Sequence, residues 1–166
     1  MALGLLLLRL LLAALLAGHA CQKAFGWFRG QGIDGTARTF ESWGFRPGRQ
    51  HAFMATAAEL TGAVLLALGL LTPLGSAVVV GTMTVAASAN FKNGLWAHLG
   101  GYEVAFVYGA LAFVIAVTGP GALSLDAAAG LPLSGIGYAL GAAALGIVAA
   151  LPPLLRRRQA LRQPAG

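Results

Sequence analysis

Five stretches of the chain lose almost all of their polar residues: 2–22, 52–71, 74–91, 101–118 and 135–155. Each is close to the roughly 20 residues that a helix needs to cross a hydrocarbon core about 30 Å thick, with the third and fourth at the short end. In lipid only helices or closed barrels satisfy their own backbone groups, and the strict alternation of a barrel strand is absent. The pattern therefore predicts an all-α protein, a polytopic transmembrane helix bundle. Its breaks differ in kind. Thr72-Pro73 alone joins the second and third runs, which predicts a tight antiparallel hairpin with the proline in the first turn of a helix. Gly119-Pro120-Gly121 ends the fourth run. The first connection is long and basic, with Lys23, Arg29, Arg38, Arg46 and Arg49 against Asp34 and Glu41.

Composition agrees with this reading. The 166 residues are 58% hydrophobic and 10% charged, where a soluble domain carries roughly 25% charged residues. A net charge of +6 would suggest nucleic acid in a soluble protein. Here ten of the eleven basic residues fall in the first connection, the third connection and the tail, so orientation in a membrane accounts for them and no nucleic-acid partner is expected. With five spans these three segments share one side. The positive-inside rule makes that side cytoplasmic, with the N-terminus outside. The first 21 residues have no basic leader and carry Arg9 inside the apolar stretch, so a retained helix is expected rather than a cleaved signal. A single cysteine, Cys21, excludes an intramolecular disulfide and reads as a small buried residue.

Two charges interrupt the apolar runs. Arg9 lies in the first and Glu59 in the second. A charge near the bilayer centre costs at least about 2.5–3.5 kcal/mol, so each needs a partner or a watery cavity. At about 100° per residue Arg9, His19 and Lys23 fall within one ~80° arc of the first helix. Depth separates them: Lys23 or His19 is level with Glu59, whereas Arg9 lies roughly 10 Å further along the membrane normal. Glu103 and Ser88 fall in the same half as Glu59. The candidate polar site is therefore Glu59, Arg9, His19, Lys23 and Glu103. Glu59 reads either as one half of an ion pair that holds helices together or as a proton-carrying or ligand-binding carboxylate. No Glu-x-x-His pair occurs on any helix, and no metal site is expected. Gly30-Gln31-Gly32-Ile33-Asp34-Gly35 has dinucleotide-loop spacing but follows a membrane helix and not a strand, so it carries nothing. Residues 36–43 are expected as a short helix lying flat on the membrane, with Phe40 and Trp43 facing acyl chains. The small-residue pairs Ala13/Ala17, Ala14/Gly18, Ala58/Gly62 and Gly137/Gly141 are expected to pack helices within one bundle, the other use being a homo-oligomer face on the fifth span.

Several segments together resemble the DoxX family of small bacterial membrane proteins. They are Gly18-His19-Ala20-Cys21-Gln22-Lys23-Ala24-Phe25-Gly26-Trp27-Phe28, then GIDGTARTFESWGFRPG, AELTGAVLLALGLLTPLG around Glu59, NGLWAHLGGYE ending at Glu103, and GPGALSLD. The resemblance spans about residues 5–126. It implies a four-helix DoxX-like membrane domain over residues 1–126, an additional transmembrane helix at 135–155 outside the common core, and a basic cytoplasmic tail at 156–166. Arg9, His19, Lys23, Glu59 and Glu103 match the family's polar positions. Asn90 departs from them, standing where many relatives would carry a histidine. The family's best-described branch includes subunits of thiosulfate:quinone oxidoreductase. The resemblance thus implies a multi-pass protein of the bacterial plasma membrane. It would be the membrane subunit or anchor of a redox complex, thiosulfate/quinone or oxidative-stress, with quinone as the implied cofactor and a redox partner at the basic loop. A non-catalytic scaffold or assembly factor is the alternative. A proton-coupled solute transporter is a weaker one, since the five runs show no inverted repeat. Whether the chain is itself an enzyme stays open on these grounds.

Overall fold

The computed structural model describes residues 2–162. Those residues are helical or irregular, with no strand among them. The helices are α1 (Ala2–Phe25), α2 (Gly32–Ser42), α3 (Gly48–Leu68), α4 (Thr72–Asn90), α5 (Glu103–Thr118), the single turn α6 (Leu125–Ala128) and α7 (Ile136–Arg162). Four helices, α1, α3, α4 with its following turn, and α7, are long and apolar enough to cross a membrane.

The fourth apolar run is the exception. α5 has 16 residues, about 24 Å at 1.5 Å per residue, and falls short of that length. The run was expected from residue 101, but the α4–α5 connection pulls its start away from the helix. Tyr102 N donates to Gly94 O, Gly101 N to Trp96 O, and Glu103 accepts from Ala97 N at 2.8 Å. α5 is nonetheless central, with Tyr108, Ala112, Ile115 and Ala116 buried.

α4 is the hub, packing against α3, α5 and α7, while α1 lies on α3 and α5. The core is Leu12 and Leu16 of α1, Ala63 and Leu66 of α3, Val79 and Met83 of α4, and Tyr108, Ala112 and Ile115 of α5. Three hydroxyls in the second half of α4 are satisfied by their own helix. Thr82, Thr84 and Ser88 each donate to a carbonyl three or four residues back in the same helix, which satisfies them inside lipid.

Small residues divide by use. A Cβ at Gly62 would lie 2.6 Å from Val79 of α4, and one at Gly81 would lie 2.7 Å from the Gly146 carbonyl of α7. Both therefore permit close helix contacts. Gly18, Gly137 and Gly141 have nothing within 4 Å of an added Cβ, so the expected packing role fails for these three within the chain. α7 runs on as one helix through Arg162 despite Pro152 and Pro153, so residues 156–162 are helix where a tail was expected. Residues 163–166 lie outside the described part.

Candidate functional site

The polar residues separate into two places at opposite ends of the bundle. At the end holding the α3–α4 hairpin, Arg9 is 0% exposed. Its Nη1 donates to Leu66 O at 3.1 Å and Ala67 O at 3.3 Å, and its Nη2 donates to Leu123 O, while its Nε has no partner. The guanidinium thus sits on the open carbonyls at the C-terminus of α3, where the helix dipole is negative. Gly69 closes α3 in a left-handed conformation (φ 59°), with Gly69 N donating to Leu66 O and Leu70 N to Leu65 O. This is the Schellman arrangement. A Cβ at Gly69 would collide with the Arg9 guanidinium.

Asp126, also 0% exposed, does the converse for α4. Its Oδ1 accepts from Leu71 N at 2.7 Å, and its Oδ2 from Thr72 N at 2.9 Å and Thr72 Oγ1 at 2.7 Å. An anion therefore meets the N-terminus of α4 while a cation meets the C-terminus of α3, and the hairpin is clamped between them. Sequence reasoning placed Arg9 in the polar site and gave Asp126 no role. The only signal was an acidic residue in a segment with no basic one, and its partners are backbone groups.

At the other end, Lys23 Nζ donates to both oxygens of Glu59 at 2.8 Å. Glu59 is 5% exposed and Lys23 21%. Both helices bring their residue here by register: α1 and α3 are antiparallel neighbours, and Lys23 lies near the end of one where Glu59 lies three turns into the other. Thr36 of α2 donates to the Lys23 carbonyl at 3.3 Å, tying α2 beneath the pair. His19, one turn from Lys23, meets the Tyr108 ring edge-on at 5.7 Å.

Lys23, Glu59 and His19 line a cavity of about 750 Å³ whose remaining wall is mostly apolar, with Phe40, Trp43, Met54, Val78 and Val85 among its side chains. Glu103 is not among them; it bonds its own connection. Asn90 does line the cavity. A helix forms here, but it starts at Gly32, four residues before the expected start, and ends at Ser42. Phe40 and Trp43 stack on each other at 5.7 Å and line the cavity where acyl chains were expected. A clasp from α7 holds the backbone of this segment. Arg157 Nε donates to Trp43 O at 2.7 Å, and its guanidinium lies 5.2 Å from the centre of the buried Phe45 ring. Cys21 is a half-buried free thiol. Among the described residues no three His, Cys, Asp or Glu side chains converge.

The DoxX family model matches residues 4–99, more than half of the chain. No curated protein and no solved structure matches. The chain belongs to the DoxX family and is a multi-pass membrane protein whose helices are surrounded by a lipid bilayer.

Proposed function

We propose that this DoxX-family chain is the membrane subunit of a redox complex, that its cavity takes a quinone, and that Glu59 and Lys23 exchange protons with the quinone head. One observation carries the reading: an ion pair between the half-buried Lys23 and the buried Glu59 forms part of the wall of a largely apolar cavity of about 750 Å³. Small-molecule sites in general are concave, 300–1,000 Å³, mostly apolar, with a few convergent polar groups that orient the ligand. A quinone head is flat and apolar except for its two carbonyl oxygens. Reducing it to the quinol takes two electrons and two protons. Lys23 can give a proton to a carbonyl oxygen of the reduced head, and Glu59, taking a proton from water, can return one to Lys23. His19, one turn away, is a second group able to relay a proton.

In this reading the two electrons come from a redox partner. Arg29, Arg38, Arg46 and Arg49 lie in the connection that holds α2, a basic segment suited to an acidic partner surface. By the positive-inside rule that face and the C-terminus of α7 are cytoplasmic, in a bacterial plasma membrane, with the N-terminus outside.

Glu59→Gln is the test, since it keeps shape and hydrogen bonding while removing the charge. The expected result is a folded protein in membranes whose quinone-dependent oxidation falls at least tenfold. Unchanged oxidation by a folded Glu59→Gln protein would sink the proton-exchange role. Copurification from mild detergent identifies the partner. If neither a partner nor bound quinone is recovered, the non-catalytic scaffold reading takes its place.

A further inference from the structure

The cavity has an opening whose position bears on how a ligand arrives. Five of its lining residues are exposed: Arg29 and Gln31 in the polar connection that leads into α2, and Met54 of α3, at 59%, Ala86 of α4 and Ala149 of α7. The last three belong to helices long and apolar enough to cross the membrane, and they open on the lipid side, away from the polar connection. α3 and α7 both pack on α4 but make no extensive contact with each other, so a cleft runs between them over α4. α7 is pinned on either side of that cleft. On one side Gly146 lies against Gly81, where an added Cβ would meet the Ala77 carbonyl at 2.5 Å. On the other, Arg157 holds Trp43 O. Ala149 and Pro153 lie on the stretch between the pins and face the cavity.

This stretch also carries the chain's paired prolines. Pro152 and Pro153 have no N–H, so they cannot donate to the carbonyls of Val148 and Ala149, as other residues in a helix would. In lipid such carbonyls are tolerated where they line a cavity or meet a donor. Here Ala149, whose carbonyl is one of the two, lines the cavity.

We propose that the ligand enters sideways from the bilayer, between α3 and α7, so that its head reaches Lys23 and Glu59 while a hydrocarbon chain leaves through the gap at Met54, Ala86 and Ala149. The class of substrate is thereby a tailed, lipid-dissolved quinone and not a water-borne one. This rests on the quinone reading above and adds the route and the tail.

Tryptophan quenching on the purified full chain in lipid nanodiscs tests it, with Trp43 in the cavity wall as native reporter. The probes are a decyl-chain benzoquinone and its chainless analogue. In Ala149→Phe, or independently Ala86→Phe, the decyl compound is expected to bind at least tenfold more weakly and the chainless one within twofold of the native value. Equal change, or none, for the two compounds overturns the lateral route and leaves the quinone reading standing. If neither compound binds the native chain, the quinone reading falls and this occupant with it. A bimane label on Ala149→Cys in a Cys21→Ser background reads the mouth without any quinone. Quenching by brominated acyl chains is expected, and quenching by aqueous iodide instead overturns a mouth open to lipid.

Discussion

Arg9 with Asp126 and Lys23 with Glu59 are both sets of charges buried in an apolar bundle, yet they are satisfied in opposite ways. Arg9 and Asp126 are bonded almost wholly to backbone groups, and Thr72 Oγ1 is the single side-chain partner. They neutralise the two helix ends of one hairpin and have no place on the cavity wall. Lys23 and Glu59 are bonded to each other and share the cavity wall. A charge that completes a helix terminus cannot leave it without exposing several orphaned backbone groups to lipid. A charge held by one side chain beside open space can change partner when a ligand arrives. Burial alone does not distinguish a structural charge from one available for chemistry; the nature of its partners does.

Substitutions sharpen that contrast, and the largest effects belong to the hairpin. Arg9→Leu and Asp126→Ala should each cost about 3–5 kcal/mol, the range for removing one member of a buried charge network. The readout is loss of folded protein, or a large fall in Tm in detergent. Gly69→Ala should follow, at about 1–3 kcal/mol, because it combines a left-handed backbone with the collision against Arg9. The control Gly137→Ala, in open space, should leave Tm unchanged.

Arg157→Ala removes a charge-assisted bond and a cation–ring contact, worth about 1.5–3 kcal/mol together. It should loosen the roof formed by Trp43 and Phe45, measured as faster amide exchange in residues 40–46 than in α3. Glu59→Gln should cost less, about 1 kcal/mol, since Lys23 is exposed enough to draw on water. A Tm loss as large as that of Arg9→Leu would place Glu59 with the structural charges and abolish the distinction. Glu103→Gln, outside both sites, should shift stability by about 0.5 kcal/mol or less.

How far each site can be read from the chain follows from the kind of partner involved. Counting 1.5 Å per residue along two antiparallel helices sets Lys23, and not Arg9, level with Glu59, and the ion pair lies there. The same count set Glu103 at that depth, but depth says nothing about direction, and Glu103 turns back to Ala97 N. Asp126 could not be assigned from the sequence because its partners are N–H groups that every residue possesses. Phe40 and Trp43 read as lipid anchors because an amphipathic helix beside a membrane has two apolar choices, acyl chains or the protein. Here the two rings line the cavity, and Arg157, more than a hundred residues away, holds the Trp43 carbonyl.

The sequence by itself determined the all-helical membrane architecture, a tight α3–α4 hairpin with Pro73 in the first turn of α4, and the level of Lys23 with Glu59, since these follow from run length and rise per residue. The turn itself lies at residues 69–71 and not at Thr72-Pro73. Tertiary structure decided which charges are structural, where the cavity lies and how it opens. Those depend on the azimuth of each helix and on backbone groups freed at helix ends, and neither leaves a pattern in the order of residues.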